Sequence, residues 1–210
     1  DARASRSLLF LYFPFLVFSA VLNSAPDKED FVKLFWNDVE KLYDEFRDWY
    51  ADLDKYHIIG YLISSGVTIA EVFSITRGKR KSAVMKALIG KAKLIAGKYD
   101  LPNLSYDTSN DRMKIRKLLL LFNIATLVCK SEKQYRFPFD IYKGETRDKI
   151  KWDIEHIHAT ADETDEADDR IGNLTLLDAQ TNRSYQNAPF ADKRKIIIER
   201  ESKGLFVPLC

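Results

Sequence analysis

Two short apolar runs flanking a polar loop constrain this chain most. Trp152 to His158 (WDIEHIH) is rich in apolar and aromatic residues and fits a strand. Thr160 to Arg170 is a loop holding Asp162, Glu163, Asp165, Glu166, Asp168 and Asp169. Gly172 to Leu177 (GNLTLL) fits a second strand. Ala179 to Tyr185 then opens a helix, and Ala191 to Arg200 gives another. Strand, loop, strand and helix in that order predict a ββα unit over residues 151–210.

The preceding residues predict a helical domain over 1–150. Asn23 to Glu29 is a turn, and Pro26 suits a first helical turn followed by acids. Phe31, Leu34, Phe35, Val39, Leu42, Phe46 and Trp49 recur at steps of three to four, the pattern of an amphipathic helix. Tyr56 to Ile63 is a second apolar segment, closed by Ser64-Ser65-Gly66, and Thr68 caps a third helix through Phe73. Asp100 to Asp111 reads as a loop, Arg112 to Cys129 as a long, largely buried helix, Tyr135 to Tyr142 as an extended link, and Gly144 to Lys149 as a polar turn. The expected fold is therefore mostly α with a small α+β element.

Residues 7–22 form an apolar run of 16 residues within the N-terminal segment 1–25, interrupted by Pro14. That is short of the roughly 20 residues that span a bilayer, so a helix pair buried in the core or against a missing domain is expected, and no membrane role. The chain opens on Asp1, as expected of a fragment or a processed product. Cys129 and Cys210 make no disulfide framework, which suits a reducing cytoplasm.

Net charge is +2, too small for a global basic field. Its distribution is uneven: residues 151–210 hold 12 acids against 8 bases, and residues 1–150 hold 25 bases against 19 acids. Arg77 to Lys98 contains eight bases and no acid. This stretch is either a solvated helix face or a phosphate-binding surface. Lys79, Arg80 and Lys81, with Arg183 further on, are the candidates for DNA contact.

The ββα stretch concentrates the chemistry. Hydrolysis of a phosphodiester needs a base for water and a divalent cation to offset charge developing on phosphate and leaving oxygen. Histidine is the natural base near neutrality. Oxygen donors from Glu and Asn suit Mg²⁺, which keeps several waters. Glu155, His156, Asn173 and Asn182 supply these groups. Neighbours on a regular strand face opposite ways, so Glu155 and His156 can reach one phosphate only where the strand ends or kinks. Each residue also has a plain structural reading: a satisfied histidine at 156, a salt-bridge partner at 155, a turn residue at 173, a helix cap at 182. His158 is expected on the same face as His156. Lys193 to Lys195 fit DNA-backbone contact or a solvent face equally well. The acids of 160–170 fit a solvated loop, and His57 fits a core histidine.

Trp152 to Ile157, Gly172 to Leu177, Asn182, Pro189-Phe190 and Lys193 together resemble the C-terminal nuclease domain of GmrSD-type modification-dependent restriction endonucleases. Tyr56 to Leu62, Leu118 to Asn123 and Phe137 to Phe139 are similar to the helical region before that domain, so the likeness runs over roughly residues 30–200. The family continues His-Ile as His-Ile-x-Pro, and this chain has Ala159 at the proline position. The same residues resemble the HNH, or His-Me finger, domain of RNA-guided nucleases, where two asparagines stand nine residues apart, as Asn173 and Asn182 do here.

The resemblance implies His156 as general base, Glu155 and Asn182 as ligands of Mg²⁺ (or Mn²⁺), and Asn173 as a brace for the second strand or an orienter of the base. His158 and Lys193 would be supporting or phosphate-contacting. It also implies a DNA endonuclease acting in a restriction or anti-phage system. The expected partners are DNA and an upstream nucleotide-hydrolysing sensor domain of the full-length protein. No glycine-rich phosphate loop occurs here, so that domain is not expected within this chain. A homo-oligomer would allow both strands to be cut. The competing expectation is an inactive module that binds nucleic acid or a protein partner.

Overall fold

The computed structural model describes residues 14, 16–129, 135–142, 152–158, 168–178, 182, 185 and 188–204. The chain divides into two compact units, Asp1–Ala51 and Asp52–Cys210.

In the first unit residues 16–24 are helical and α1 spans Lys28–Ala51. Pro26 lies before α1 and not in its first turn; Asp27 caps the helix, its Oδ1 accepting the Asp30 N–H at 2.9 Å. The Phe18 ring packs against Phe31 and Phe35, with centroids 5.8 and 4.8 Å away. Among the described residues, no helix is long and apolar enough to cross a membrane. Residues 1–13, most of the N-terminal apolar segment, lie outside the described residues.

The second unit is built on four helices: α2 (Leu53–Ser64), α3 (Ile69–Thr76), α4 (Lys81–Ala96) and α5 (Ser109–Cys129). Asp52 caps α2 and Thr68 caps α3, through side-chain oxygens that accept from Lys55 N and Glu71 N. Gly66 ends α2 at φ 95° and Gly78 precedes α4 at φ 72°, backbone conformations that favour glycine. On α4, Val84, Leu88 and Ala92 recur every four residues and are buried, while Lys86, Lys93 and Leu94 are exposed. α2 packs on α4 and α5, and α3 packs on α4. Their shared core includes Tyr61, Leu62, Ile115, Leu118 and Ile124.

The segment expected to be an extended link differs. Residues 135–138 are irregular, but Phe139–Tyr142 forms a 3₁₀ turn packed on α2. The turn lays the Tyr142 ring over Gly60; a Cβ there would come within 2.8 Å of the ring. His57, on the same helix, is 2% exposed, and its Nε2 accepts the Phe137 N–H at 3.2 Å. Burial, helped by the nearby Arg136 charge and opposed by Asp54, pulls its pKa down to about 4. His57 is thus a neutral core histidine.

The remaining elements are two strands and a last helix. β1 (Trp152–His156) pairs antiparallel with β2 (Leu174–Asp178), with Trp152 opposite Asp178 and His156 opposite Leu174. Residues 171–173 form a 3₁₀ turn rather than the expected start of the second strand, because Asn173 N–H and Leu174 N–H bond back to the Arg170 and Ile171 carbonyls. Asn182 and Tyr185 are helical, and α6 spans Phe190–Ser202. The architecture is mostly helical with one two-stranded sheet. β2 rests on α5, and Arg116 of α5 donates to the Trp152 carbonyl of β1.

Candidate active site

The hairpin register sorts the polar residues of β1 onto two faces. Asp153 and Glu155 lie opposite Leu177 and Thr175, and His156 lies opposite Leu174. Side chains alternate along a strand, so Asp153 and Glu155 share one face and His156 belongs to the other. β1 ends at His156, but its last two side chains still diverge into different surroundings.

Glu155 faces α6. Lys193 Nζ reaches back from that helix and donates to Glu155 Oε1 at 3.0 Å and to the His156 carbonyl at 3.1 Å. The Lys193 side chain is 4% exposed, so it lies neither on a solvent face nor free for a DNA backbone. A cavity of about 20 Å³ adjoins the pair, walled in part by Thr175, Leu177, Tyr185, Phe190 and Ile197. The lysine stem therefore runs through apolar surroundings to its partner. On the same face, Asn182 Nδ2 lies 3.3 Å from Asp153 Oδ2.

His156 faces the other way. Its Nε2 is 2.7 Å from Asp169 Oδ1, and the Tyr106 ring meets its edge at 5.4 Å and 87°. Arg112 lies over that tyrosine ring at 4.9 Å and donates to the Tyr106 carbonyl. Asp169 is thus not part of a solvated acidic loop. Asp168 does stay open to solvent, where it forms a two-point pair with Arg170 at 2.8 and 3.0 Å. Hydrogen bonds from the Arg170 side chain and then its backbone N–H bring the Asp168 carboxyl down to about 2. Asp162, Glu163, Asp165 and Glu166 lie outside the described residues, as do Ala159 and Arg183.

Asn173 joins the two edges of this site. It is buried, with Oδ1 accepting from His158 N–H at 2.9 Å and Nδ2 donating to the carbonyls of His158 at 3.2 Å and Asp168 at 2.9 Å. Its own carbonyl accepts from Ile157 N–H at 2.8 Å. One asparagine thereby latches the chain leaving β1 to the chain approaching β2. Because the chain bends after His156, His158 does not share that residue's surroundings; its ring is exposed and packs on Phe190 at 4.7 Å.

Five of the residues singled out by sequence (Glu155, His156, Asn173, Asn182 and Lys193) therefore gather on or against the hairpin. Lys79, Arg80 and Lys81 are exposed in the turn into α4 and at its first residue. Three contributors were not singled out: Asp169, Tyr106 and Asp153. The acidic loop hid Asp169 among equivalents. Tyr106 comes from a segment that is not a featureless loop: Leu101–Asn103 is a 3₁₀ turn, and Ser105 bridges to Arg170.

No curated protein and no solved structure matches this chain. Residues 100–203 match the family model described as GmrSD restriction endonucleases, C-terminal domain. The match begins just before α5 and takes in the whole hairpin and α6. Over that segment, just under half of its length, the chain is similar to the C-terminal domains of the GmrSD restriction endonucleases.

Proposed function

We propose that this chain is a metal-dependent endonuclease of the HNH (His-Me finger) type, hydrolysing phosphodiester bonds of DNA from the hairpin and helix at its C-terminal end. The observation that carries the proposal is His156, held by the Asp169 carboxylate at a strand end latched by Asn173; Glu155 stands on the opposite face and would meet the same phosphate only if that strand end turns when substrate binds. His156 Nε2 is engaged by Asp169, which leaves Nδ1 to take a proton from water. Asn173 spends its amide on backbone groups, so its part is to hold the strand end in shape.

Mg²⁺ (or Mn²⁺) is the cation proposed. Glu155, Asn182 and the neighbouring Asp153 present oxygen donors on one face of the hairpin, the donor type these ions take. The set is sparse: among the described residues no group of three His, Cys, Asp or Glu side chains could hold a metal. When bound, the ion would offset negative charge on the phosphate and leaving oxygen. Lys193 already places one positive charge against Glu155, so the ion would share or displace that contact.

The wider setting is proposed from the likeness to that family. A restriction endonuclease domain takes DNA as its substrate, and the proposed role is cleavage of foreign or modified DNA in a cytoplasmic defence system. Choice of target would belong to an upstream nucleotide-hydrolysing sensor domain, and a homo-oligomer would supply a second site for the other strand. Grip on the DNA backbone is assigned to the exposed cations Lys79, Arg80 and Lys81.

Plasmid nicking in Mg²⁺, Mn²⁺ or EDTA tests the reading, run beside His156→Ala and Asn182→Ala. Nicking should need the divalent ion, and His156→Ala should lower the rate about 10²–10⁴-fold, the usual contribution of a general base. Equal cutting by His156→Ala and wild type would remove His156 as the base. The Glu155–Lys193 pair, which satisfies the glutamate without any metal, favours one alternative: a domain that binds DNA without cutting it. Salt-sensitive binding with no cleavage in any divalent ion would select that alternative.

A further inference from the structure

We infer that Asp169 is the positioning residue of the site: its carboxylate accepts a hydrogen bond from His156 Nε2–H and fixes both the orientation and the tautomer of the ring. This rests on the reading of His156 as the base and extends it to a residue that the family match alone does not single out.

Three observations support it. The contact is short, 2.7 Å, and both side chains are partly shielded, at 18% and 26% exposure. The backbone that carries this carboxylate is also held. Tyr106 N–H donates to the Asp169 carbonyl at 2.9 Å, Ser105 bridges to Arg170, and Asn173 Nδ2 holds the carbonyl of Asp168. Asp169 thus sits on backbone tied to two separate parts of the fold, the turn before α5 and the latch at Asn173. Finally, the neighbouring acid is occupied. Asp168 is engaged by the Arg170 guanidinium, which leaves Asp169 as the described carboxylate on the histidine.

A neutral imidazole carries one N–H, and a carboxylate can only accept. Contact with Asp169 therefore selects the Nε2–H form and leaves the Nδ1 lone pair for a proton from water. Tyr106 closes the side of the ring, edge to face, so that rotation about the His156 side chain is restricted. An asparagine at 169 would remove this choice, since its amide donates to Nε2 as readily as it accepts.

The test uses the full chain with ¹⁵N-labelled histidine, read by long-range ¹⁵N–¹H correlation at a pH where His156 is neutral, with His156→Gln identifying its signals. Wild type should show Nε2 protonated and Nδ1 bare. In Asp169→Asn the two forms should mix or invert, kcat for nicking should fall about 10²-fold or more, and KM and Tm should stay near wild type. Asp169→Glu should restore the Nε2–H form and part of kcat. A wild-type ring protonated on Nδ1, or an Asp169→Asn protein with unchanged tautomer and unchanged kcat, overturns the assignment. Failure of the underlying reading is distinct: His156→Ala would then nick normally, whatever Asp169→Asn does to the ring.

Discussion

Lys193 Nζ lies 3.0 Å from Glu155 Oε1, joining α6 to β1 through a lysine side chain that is 4% exposed. A buried cation with one carboxylate partner is costly to leave half-made. Lys193→Met keeps the apolar stem but strands the carboxylate and the His156 carbonyl. The expected loss is about 2 kcal/mol, below the range for fully buried pairs because Glu155 is partly open. Urea unfolding of Lys193→Met, Glu155→Gln and the double variant measures it. The double variant should lose less than the sum of the singles, and strict additivity would show that the two do not interact.

Removing Asn173 should be worse for the fold than its small side chain suggests. Asn173→Ala leaves the His158 N–H and the carbonyls of His158 and Asp168 without the partner they share. Unsatisfied buried groups cost about 1–3 kcal/mol each, less where water can reach them, so a total loss of about 2–4 kcal/mol is expected. Thermal unfolding checks the stability, and faster exchange of the His158 amide would place the loss at the latch. Unchanged exchange there would mean that the loop is held by other contacts.

Legibility from sequence followed the physics of each element. The helices that carry apolar residues at three- to four-residue steps were readable to within a few positions, although on α1 the repeat marked the helix without burying Leu34, Phe35, Leu42 or Phe46. Asn173 stood out from its place in the family pattern, as a brace for the second strand or an orienter of the base. Its turn conformation was not readable, because the bonds that close the turn come from Arg170 and Ile171 carbonyls. Lys193 was ambiguous because a lysine on a polar helix usually faces water, and its burial depends on Glu155, 38 residues earlier. Asp169 could not be told from its acidic neighbours, since only the fold brings it to His156. Residues 139–142 were misjudged because Pro138 suggested continued extension, whereas packing on α2 favours a turn.

Acid should weaken the helical body through His57. Its folded pKa of about 4 lies below its ordinary 6.5, so the unfolded chain takes up the proton first. This contribution is fully present above about pH 6.5, is lost as pH falls from 6.5 toward 4, and changes no further below that. The total is on the order of 3 kcal/mol. Denaturant unfolding at stepped pH measures it. A His57→Gln variant, less stable at neutral pH, should show a shallower decline across this window; an equal slope would place the acid sensitivity elsewhere.

Gly60 is expected to resist any side chain. A Cβ at this position would sit 2.8 Å from three atoms of the Tyr142 ring. Gly60→Ala must push the 3₁₀ turn off α2, for about 1–3 kcal/mol. Gly90, with open space around its Cβ position, is the matched control, and Gly90→Ala should be neutral or stabilising. Similar Tm values for the two variants would refute the close packing of Tyr142.

The exposed cations at the start of α4 should act on affinity and not on stability. Lys79→Ala, Arg80→Ala and Lys81→Ala combined should weaken DNA binding and flatten the dependence of log Kd on log salt by up to about 3, roughly one for each phosphate no longer neutralised. Tm should hold within about 1–2 °C, as these side chains are exposed. Titrations at several salt concentrations decide it; an unchanged slope would remove this turn from the DNA-contacting surface.

The Asn173 latch has a consequence for how such a domain can diversify. Its amide fastens the chain at His158 and again at Asp168, so the excursion between them starts and finishes at one fixed point. Closing a chain segment of twice the length between two pinned ends costs only about 0.6 kcal/mol more. The hairpin can therefore carry a longer or differently charged insert there without transmitting it to His156 or Glu155. That makes residues 159–167 a natural graft point, where new contacts can be tried while the proposed site stays insulated.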